Sequence, residues 1–319
     1  MCRLHCVSYD SSNKILKSDP FDKDLKSYSL DSIFTNIISN VTKFDYAPNN
    51  FKLCFYSIVG SCNGILCIAS EYIDLVILWN PSIRKVKELP IFERPRNISI
   101  QMMTFGFGYD SFSDNYKVII VFRCSIRESS GNLVNKTKVK VHTLGTNYWK
   151  IIPEFPFGGV PIERTGKFVS GTINWLTSIE FYRESPYFIV SYDLGKESYQ
   201  EVLLPDCRGA DAFHLRLCVL RDCLCILAGH DVWSMKEYGN KESWTKLFTI
   251  SYLHDSTTYY TCTEVIYIFE DDQVLLKVEG GWKSKLVLYN SRNGTFQFTK
   301  FDPTPKVCIE SLISPCSYR

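Results

Sequence analysis

A unit that recurs about every fifty residues is the sequence feature that most constrains this fold. Each unit opens with a turn-forming residue and an apolar run, then continues with an aromatic-bearing strand, a polar turn and a more polar strand. The equivalent opening positions Gly64, Asn115, Gly171, Asp222 and Asp272 are separated by 51, 56, 51 and 50 residues. A unit of this size makes one small sheet that cannot bury its own faces, so neighbouring units must stack.

An interval near fifty residues is typical of kelch-like β-propeller blades, each of which is a small four-stranded sheet. Five clear units and the 56 residues before them predict an all-β, kelch-like β-propeller of about six blades, with mostly antiparallel four-stranded sheets. Residues 310–314 are placed to add a strand to the first blade. That strand would close the ring and remove the sheet edges that invite aggregation.

One hairpin, residues 105–122 (FGFGYDSFSDNYKVIIVF), carries the clearest strand pattern in the chain. Gly106 and Gly108 alternate with aromatic residues, which indicates a strand that another backbone approaches closely. On the returning strand, Ile119, Ile120 and Val121 point to alternate sides, so both faces should be covered. The hairpin therefore belongs inside a multi-sheet protein.

The sequence of this hairpin resembles the central signature of the F-box-associated domain, the partner-recognition half of a large family of plant F-box proteins. Further phrases similar to that family occur in the same order, among them GSCNGILCI from Gly60, LWNPSIRKVKELP from Leu78, FVSGTINWL from Phe168 and ESLISP from Glu310. The resemblance covers residues 55–315. It divides the chain into an N-terminal segment, 1–56, with an F-box remnant or ring-closing strands, and an F-box-associated β-propeller domain, 57–319.

This resemblance implies a substrate-recognition, protein-binding subunit similar to the receptor of an SCF-type E3 ubiquitin ligase, which directs target proteins to ubiquitination without catalysing a reaction. In the family, a preceding helical F-box docks on a Skp-type adaptor and thereby on a cullin. It starts with a Leu-Pro pair and contains a phrase like R-C-V-S-K-x-W, of which RLHCVS from Arg3 has only a part. The Skp-type adaptor and the cullin are therefore expected partners only where a complete F-box is present.

Two alternatives remain open from the residues. Exposed aromatic side chains and the Asn-Gly turn at Asn293 and Gly294 would also suit a carbohydrate-binding or sialidase-like propeller. The incomplete F-box would suit a truncated F-box gene product without ligase function. The first alternative predicts glycan binding, and the second predicts a longer transcript that encodes the upstream motif.

Composition argues against several other classes of protein. The 36 basic residues nearly balance the 34 acidic ones and form no long basic run, so no nucleic-acid partner is expected. No segment has the apolar length of a signal peptide or a membrane helix, which predicts a cytoplasmic or nuclear protein without a membrane partner. Most of the thirteen cysteines fall in apolar strands, and the spacing of Cys218, Cys223 and Cys225 is not a common zinc-binding spacing, so we expect buried free thiols.

No arrangement of residues in the sequence indicates catalysis, a cofactor or a metal. The five histidines are scattered, and neither a phosphate-binding glycine loop nor a G-x-S-x-G motif occurs. The connecting loops vary in length and composition, and binding residues tend to lie on such loops over a rigid scaffold. Arg96, Phe157, Arg164 and Arg208 are the candidate anchors for an unidentified target protein.

Overall fold

A computed structural model of the chain describes residues 4–10, 24–29, 42–43, 56–96, 98–127, 133–179, 186–206, 215–254, 258–281, 283–299 and 306–316. These residues form six small antiparallel sheets, of which four have four strands and two have five. The helical pieces within the described ranges are two 3-10 turns, Pro156–Gly158 and Lys241–Ser243. No helix there is long and apolar enough to cross a membrane. The predictions of an all-β class and of about six mostly four-stranded blades are confirmed.

The six sheets are numbered in chain order, and each is built mostly from consecutive strands. Sheet 1 contains β1 (Leu4–Asp10), β2 (Asp24–Ser29), β3 (Thr42–Lys43) and the last strand, β26 (Lys306–Ile309). Sheet 2 contains β4 (Tyr56–Cys62), β5 (Ile65–Ser70), β6 (Leu75–Asn80) and β7 (Lys85–Glu88). Sheet 3 contains β8 (Ser99–Asp110), β9 (Asn115–Arg127), β10 (Leu133–Thr143) and β11 (Lys150–Ile152).

Sheets 4 to 6 continue the pattern. Sheet 4 contains β12 (Val160–Pro161), β13 (Lys167–Val169), β14 (Thr172–Ser178), β15 (Tyr187–Asp193) and β16 (Ser198–Val202). Sheet 5 contains β17 (Leu215–Leu220), β18 (Cys223–Ala228), β19 (Asp231–Met235) and β20 (Trp244–Thr249). Sheet 6 contains β21 (Leu253–His254), β22 (Tyr259–Ile268), β23 (Gln273–Gly280), β24 (Lys283–Asn290) and β25 (Phe296–Phe298).

The inner strands of successive sheets contact one another in a closed cycle. Strand β4 contacts β8, β8 contacts β13, β13 contacts β17, β17 contacts β22, β22 contacts β26, and β26 returns to β4. Apolar clusters of buried side chains fill the spaces between neighbouring sheets. The sheets are therefore arranged as a propeller, and sheets 3, 4 and 5 are each covered by both of their neighbours.

The ring closes through sheet 1, which combines both ends of the chain. Strand β26 pairs with β1, so the closing strand is Lys306–Ile309 and the expectation of a strand at 310–314 is wrong. The reason lies in sheet 2, where the Asn80 side chain donates hydrogen bonds to the carbonyl oxygens of Ser311 (2.9 Å) and Ile313 (2.7 Å). These bonds hold the segment across sheet 2 instead of along β1. A boundary at residue 56 would separate β1 from its partner β26.

The fifty-residue repeat reflects the turn that joins the inner strand to the next strand in sheets 2 to 6. Gly64, Gly171, Asp222 and Asp272 all have positive φ values, between 57° and 78°. In sheet 3 the equivalent conformation falls one residue earlier than expected, at Asp114, with φ of 50°. Because tight hairpins require left-handed residues, which Gly, Asn and Asp tolerate best, the repeat is the sequence mark of these turns.

Sheet 3 is covered on both faces, as its sequence predicts. Ile119, Ile120 and Val121 have no exposed surface. Ile120 packs in the cluster shared with sheet 2, whereas Ile119 and Val121 pack in the cluster shared with sheet 4. This alternation explains why the run is apolar at successive positions.

The glycines of β8 make room for side chains of sheet 4. A Cβ atom on Gly106 would lie 2.6 Å from Cγ2 of Ile173, and one on Gly108 would lie 2.3 Å from the Phe168 ring. Backbone also approaches closely in this region, but at Phe105, whose N–H donates to the carbonyl oxygen of Arg164 (3.0 Å). The glycine pattern therefore marks ring packing beside a backbone contact.

Three aromatic side chains tie the outer strands of neighbouring sheets together. Trp149 Nε1 donates to the Pro90 carbonyl oxygen at 2.8 Å. In sheet 4 the Tyr199 hydroxyl donates to the Pro153 carbonyl oxygen at 2.9 Å. In sheet 5 Trp244 Nε1 donates to the carbonyl oxygen of Leu203, also at 2.9 Å. Each donor lies in the outer strand of its sheet or next to it, and each acceptor follows the outer strand of the preceding sheet. The same contact therefore recurs at three successive interfaces.

A buried ion pair links sheets 3 and 4 near the turn between β8 and β9. Lys117 Nζ lies 3.0 Å from Asp110, 3.2 Å from Glu197 and 2.7 Å from the Leu194 carbonyl oxygen that accepts its hydrogen bond. Lys150 reaches Glu197 from the solvent side at 2.6 Å. Since Lys117 and Asp110 are both buried, each needs the other to remain charged at low cost.

The carboxyl groups of this network have lowered pKa values. Burial acts to raise the pKa of Asp110, but hydrogen bonds from Ser113 and Lys117 outweigh it and lower the pKa below its usual 3.8. The hydrogen bond from Lys150 and then that from Lys117 lower the pKa of Glu197 below its usual 4.5 against the effect of burial. Both groups therefore stabilise the fold more when they are ionised.

We predict that Gly108→Ala lowers the free energy of unfolding by about 1–3 kcal/mol, because the new methyl group overlaps the Phe168 ring. In a Phe168→Ala background the same substitution should cost far less, since the obstructing ring is absent. Thermal or denaturant unfolding of the four proteins in this cycle measures the difference. Equal losses in both backgrounds would show that the glycine is required for another reason.

We predict that Lys117→Met lowers the free energy of unfolding by about 3 kcal/mol at neutral pH, because it leaves Asp110 charged and buried. Lys150→Met is the matched control and should cost much less, since Lys150 is exposed. A carboxyl group whose pKa is lower in the folded protein than in the unfolded chain stabilises the fold at pH values above its unfolded pKa, and this stabilisation is lost on acidification. The difference in unfolding free energy between wild type and Lys117→Met should therefore shrink as the pH falls below about 4. A difference that grows on acidification would contradict this assignment.

Candidate protein-binding surface

In sheets 2 to 6 the chain enters the inner strand, passes between the second and third strands counted from that inner strand, and leaves the outer strand, all at one end of the ring. This follows from the antiparallel order of neighbouring strands in each sheet. We call this end the crossover face, and its described parts are 71–74, 89–96 and 98, 153–159, 179 and 186, 203–206, 229–230, 250–254 and 258, 281, and 299. A surface made of loops on a rigid ring suits binding better than the short turns at the other end.

Two of the four predicted anchors are described with their side chains. Arg96 is exposed on the crossover face, in the connection between sheets 2 and 3. Arg164 is also exposed, and its backbone lies where the chain leaves β12 and pairs with Phe105 of sheet 3. Phe157 lies in the 3-10 turn Pro156–Gly158, with its side chain outside the description, and Arg208 lies outside the described residues. The structure therefore places Arg164, but not Arg96, in the charged network described below.

A cleft of about 530 Å³ opens between sheets 2 and 3 on the crossover face. One wall is the connection between β5 and β6 with Arg94, and the other is the beginning of β8. The lining residues are Glu71, Tyr72, Asp74, Arg94, Ile100, Gln101, Met102 and Met103. A bulge between Ile100 and Met102 changes the register of β8 against β9 at this wall. The cleft thus combines a charged wall with a partly apolar one.

The charged wall contains two ion pairs that are joined by a hydrogen bond to the backbone. Arg94 Nε donates to Asp74 at 2.7 Å, and a second nitrogen of Arg94 donates to the backbone carbonyl oxygen of Glu71. The Glu71 carboxylate in turn pairs with Arg164, which reaches it from sheet 4. The hydrogen bond to Asp74 raises the pKa of Arg94 above its ordinary value, with burial opposing it. These contacts fix the loop side chains before any partner arrives.

Two large apolar side chains lie on the loops that bear this wall. Tyr72 is 74% exposed and Ile91 is 70% exposed. Their loops are held together by backbone bonds, since the N–H of Phe92 donates to the Asp74 carbonyl oxygen at 3.2 Å. Exposed aromatic and aliphatic groups on fixed loops, bordered by charges, are typical of the centre and rim of protein interfaces.

A buried carboxyl group lies beside Arg164. Burial raises the pKa of Glu163, while the positive charges of Lys167 and Arg216 oppose the shift. Its Oε2 atom is enclosed and has no hydrogen-bond partner among the described residues. Lys167 lies 3.9 Å from Glu264 of sheet 6, so charged side chains of three sheets come close at the inner wall of the ring.

The same face carries a second group of exposed rings, in sheets 5 and 6. Tyr252 is 77% exposed and lies 5.0 Å from His230, measured between ring centroids. Tyr259 is 80% exposed, and its ring lies 5.8 Å from that of His254. The sequence patterns did not single out these rings or the residues that line the cleft. Only the order of the strands shows that the loops share one face.

No three His, Cys, Asp or Glu side chains of the described residues come together as a metal site would require. The neighbouring carboxylates Asp110 and Asp114 lie at the turn of the 105–122 hairpin, where Asp110 accepts a hydrogen bond from the Phe112 N–H at 2.9 Å. The features that the structure brings together are ion pairs, exposed rings and a cleft. These are means of binding.

Comparison with known proteins agrees with the propeller architecture. Residues 21–318 match the family described as F-box associated beta propeller domain. An F-box/kelch-repeat protein of Arabidopsis thaliana is 30% identical over 273 residues, covering 82% of this chain and 70% of that protein. The F-box protein CPR1 of Arabidopsis thaliana is 27% identical over 285 residues, covering 81% of this chain and 68% of its own length.

Similarity to solved structures is lower. The polysaccharide lyase Uly1 has a TM-score of 0.42 and 9% sequence identity, covering 74% of this chain and 56% of the lyase. That likeness is too weak to support an argument about activity. The match of nearly the whole chain to one family, on a ring of antiparallel sheets, is much stronger. The chain belongs to the F-box associated beta propeller domain family.

Proposed function

We propose that this chain is a target-recognition receptor of an SCF-type ubiquitin ligase, which binds its target protein through the crossover face around the cleft. The observation that carries the proposal is the preorganised cleft on the propeller of a chain whose relatives are F-box proteins. The propeller presents the target and catalyses no reaction, because ubiquitin transfer in such a ligase belongs to other subunits. We place this function in the cytoplasm or nucleus.

The residues in and around the cleft support a division of roles. Tyr72 and Ile91 supply exposed apolar area, which provides most of the binding free energy at protein interfaces. Arg164 supplies a charge at the rim, where it affects the choice of partner and the association rate more than the affinity. Because Glu71 already holds Arg164 in place, little side-chain entropy is lost when a partner binds.

Connection to the ligase would require an F-box. The relatives are longer than this chain, which spans roughly two thirds of their length. A Skp-type adaptor and a cullin are partners of this propeller only when a complete F-box is joined to it. Target binding and ligase assembly are therefore separable properties, and each has its own test.

We predict that a Tyr72→Ala and Ile91→Ala double variant captures its cellular target at least about tenfold less well than wild type, as expected for central interface residues. Tyr148→Ala is the matched control, because Tyr148 is 60% exposed on a turn at the opposite end of the ring. Quantitative mass spectrometry of proteins bound to each variant measures the effect. Unchanged capture by the double variant, or loss with Tyr148→Ala, would contradict binding at this face.

We predict that a fusion carrying a relative's F-box before residue 1 assembles with a Skp-type adaptor and a cullin and causes ubiquitination of the captured target. The Tyr72→Ala and Ile91→Ala fusion should assemble equally well but leave the target unmodified. Reconstitution with purified ubiquitin-transfer enzymes, read by immunoblot, provides the measurement. Assembly without ubiquitination of a target that still binds would argue against a ligase receptor.

A further inference from the structure

Sheet 5 brings two buried cysteines into direct opposition. Cys218 of β17 and Cys225 of β18 are Cα partners in the antiparallel pairing, and both thiols are buried. Both side chains belong to the apolar cluster that sheet 5 shares with sheet 6, so they lie on the same face. Directly opposed residues in antiparallel strands have Cα atoms about 4.5–5.5 Å apart, within the range that a disulfide spans.

The surroundings of the pair differ between the two thiols. Cys218 and Cys225 share a hydrogen bond, which raises the pKa of Cys218 and lowers that of Cys225. Ser234, the Cα partner of Cys225 on the next strand, and the positive charge of Lys236 lower the pKa of Cys225 further, against the effect of burial. Cys225 therefore has more thiolate character than its partner, and the thiolate is the form that reacts with oxidants.

We propose that Cys218 and Cys225 are an oxidation site that hydrogen peroxide converts into a cross-strand disulfide, which a dithiol reductant returns to the two thiols. The Cys225 thiolate attacks one oxygen of the peroxide, the O–O bond breaks, and the leaving oxygen departs as water with the proton released by the thiol. The sulfenic acid formed on Cys225 is then attacked by the Cys218 sulfur, the S–O bond breaks, and a second water leaves with the Cys218 proton. The two sulfur atoms are oxidised and the peroxide is reduced by two electrons.

The position of the pair limits the rate of this reaction. Neither thiol belongs to an exposed residue, so a small oxidant must reach them when β17 opens locally at the inner wall of the ring. Once Cys225 is oxidised, its resolving thiol is already adjacent, and overoxidation is disfavoured. The reaction should therefore be slow in the folded protein but should end at the disulfide.

A competing thiol provides the control for this assignment. Cys223 is half-buried and lies two positions before Cys225, on the same side of β18. It is opposite Leu220, so its relation to Cys218 is diagonal and longer. Exposure favours reaction of Cys223, whereas direct opposition favours Cys225.

The test is peptide mapping of the full chain after treatment with hydrogen peroxide, blocking of the remaining thiols and digestion with trypsin. Cleavage after Arg216 and Arg221 places Cys218 on the peptide 217–221 and places both Cys223 and Cys225 on 222–236. The proposal predicts that these two peptides are joined, that fragment spectra place the bond on Cys225, and that dithiothreitol separates them. The linkage should persist in Cys223→Ser and disappear in Cys225→Ser.

Fragment spectra of the wild-type protein assign the bond even if a buried serine prevents a variant from folding. A bond from Cys218 to Cys223 would overturn the proposal. So would a Cys218 thiol that remains free to alkylation after the exposed Cys316 has been fully oxidised.

Discussion

The structure depends on the fact that sheets 2 to 6 are apolar on both faces, so that each of them must be covered by its neighbours. Sheet 3 shows this most clearly, since Ile120 is buried against sheet 2 while Ile119 and Val121 are buried against sheet 4. A row of such sheets would leave the first and last with an exposed apolar face. Closure into a ring removes both exposed faces, and this is why β26 from the end of the chain pairs with β1 from its beginning.

A closed ring also gives the loops a fixed frame. The cleft on the crossover face draws its walls from sheets 2 and 3, and Arg164 reaches it from sheet 4. These positions are fixed because the chain between β12 and β13 leaves sheet 4 and hydrogen-bonds to Phe105 of sheet 3. The inter-sheet contact that stabilises the ring is therefore the same contact that positions a residue of the candidate site. Binding here requires little rearrangement, which keeps the entropic cost of association low.

Much of the fold could be predicted from the sequence because its turns and strands have local signals. Left-handed turns select Gly, Asn and Asp, so Gly64, Gly171, Asp222 and Asp272 reveal the repeat. The continuous apolar run Ile119–Val121 likewise predicts a strand that is covered on both faces. The expected closing strand at 310–314 lies a few residues from the observed one because the position of 310–314 depends on hydrogen bonds from Asn80, more than two hundred residues away. No local pattern reports such a contact.

The candidate site was less accessible to sequence reasoning for the same reason. Arg164 could be selected as a loop arginine, but its partner Glu71 lies 93 residues away, in a different sheet. Tyr72 and Ile91 are residue types that also occur in the core, and only the course of the backbone shows that these two are exposed. The pairing of Cys218 with Cys225 likewise follows from strand register. Distant contacts determine which loop residues act together, whereas local patterns determine the strands that carry them.

Closure of the ring through β26 is the central claim, and hydrogen exchange of the amides in Lys306–Ile309 tests it most directly. If β26 is the inner strand of sheet 1, those of its amides that donate to β1 should be protected to a degree comparable with the amides of β17 and β22. Exchange of these amides at the rate of exposed loops, while the other five sheets remain protected, would show an open ring and contradict the account.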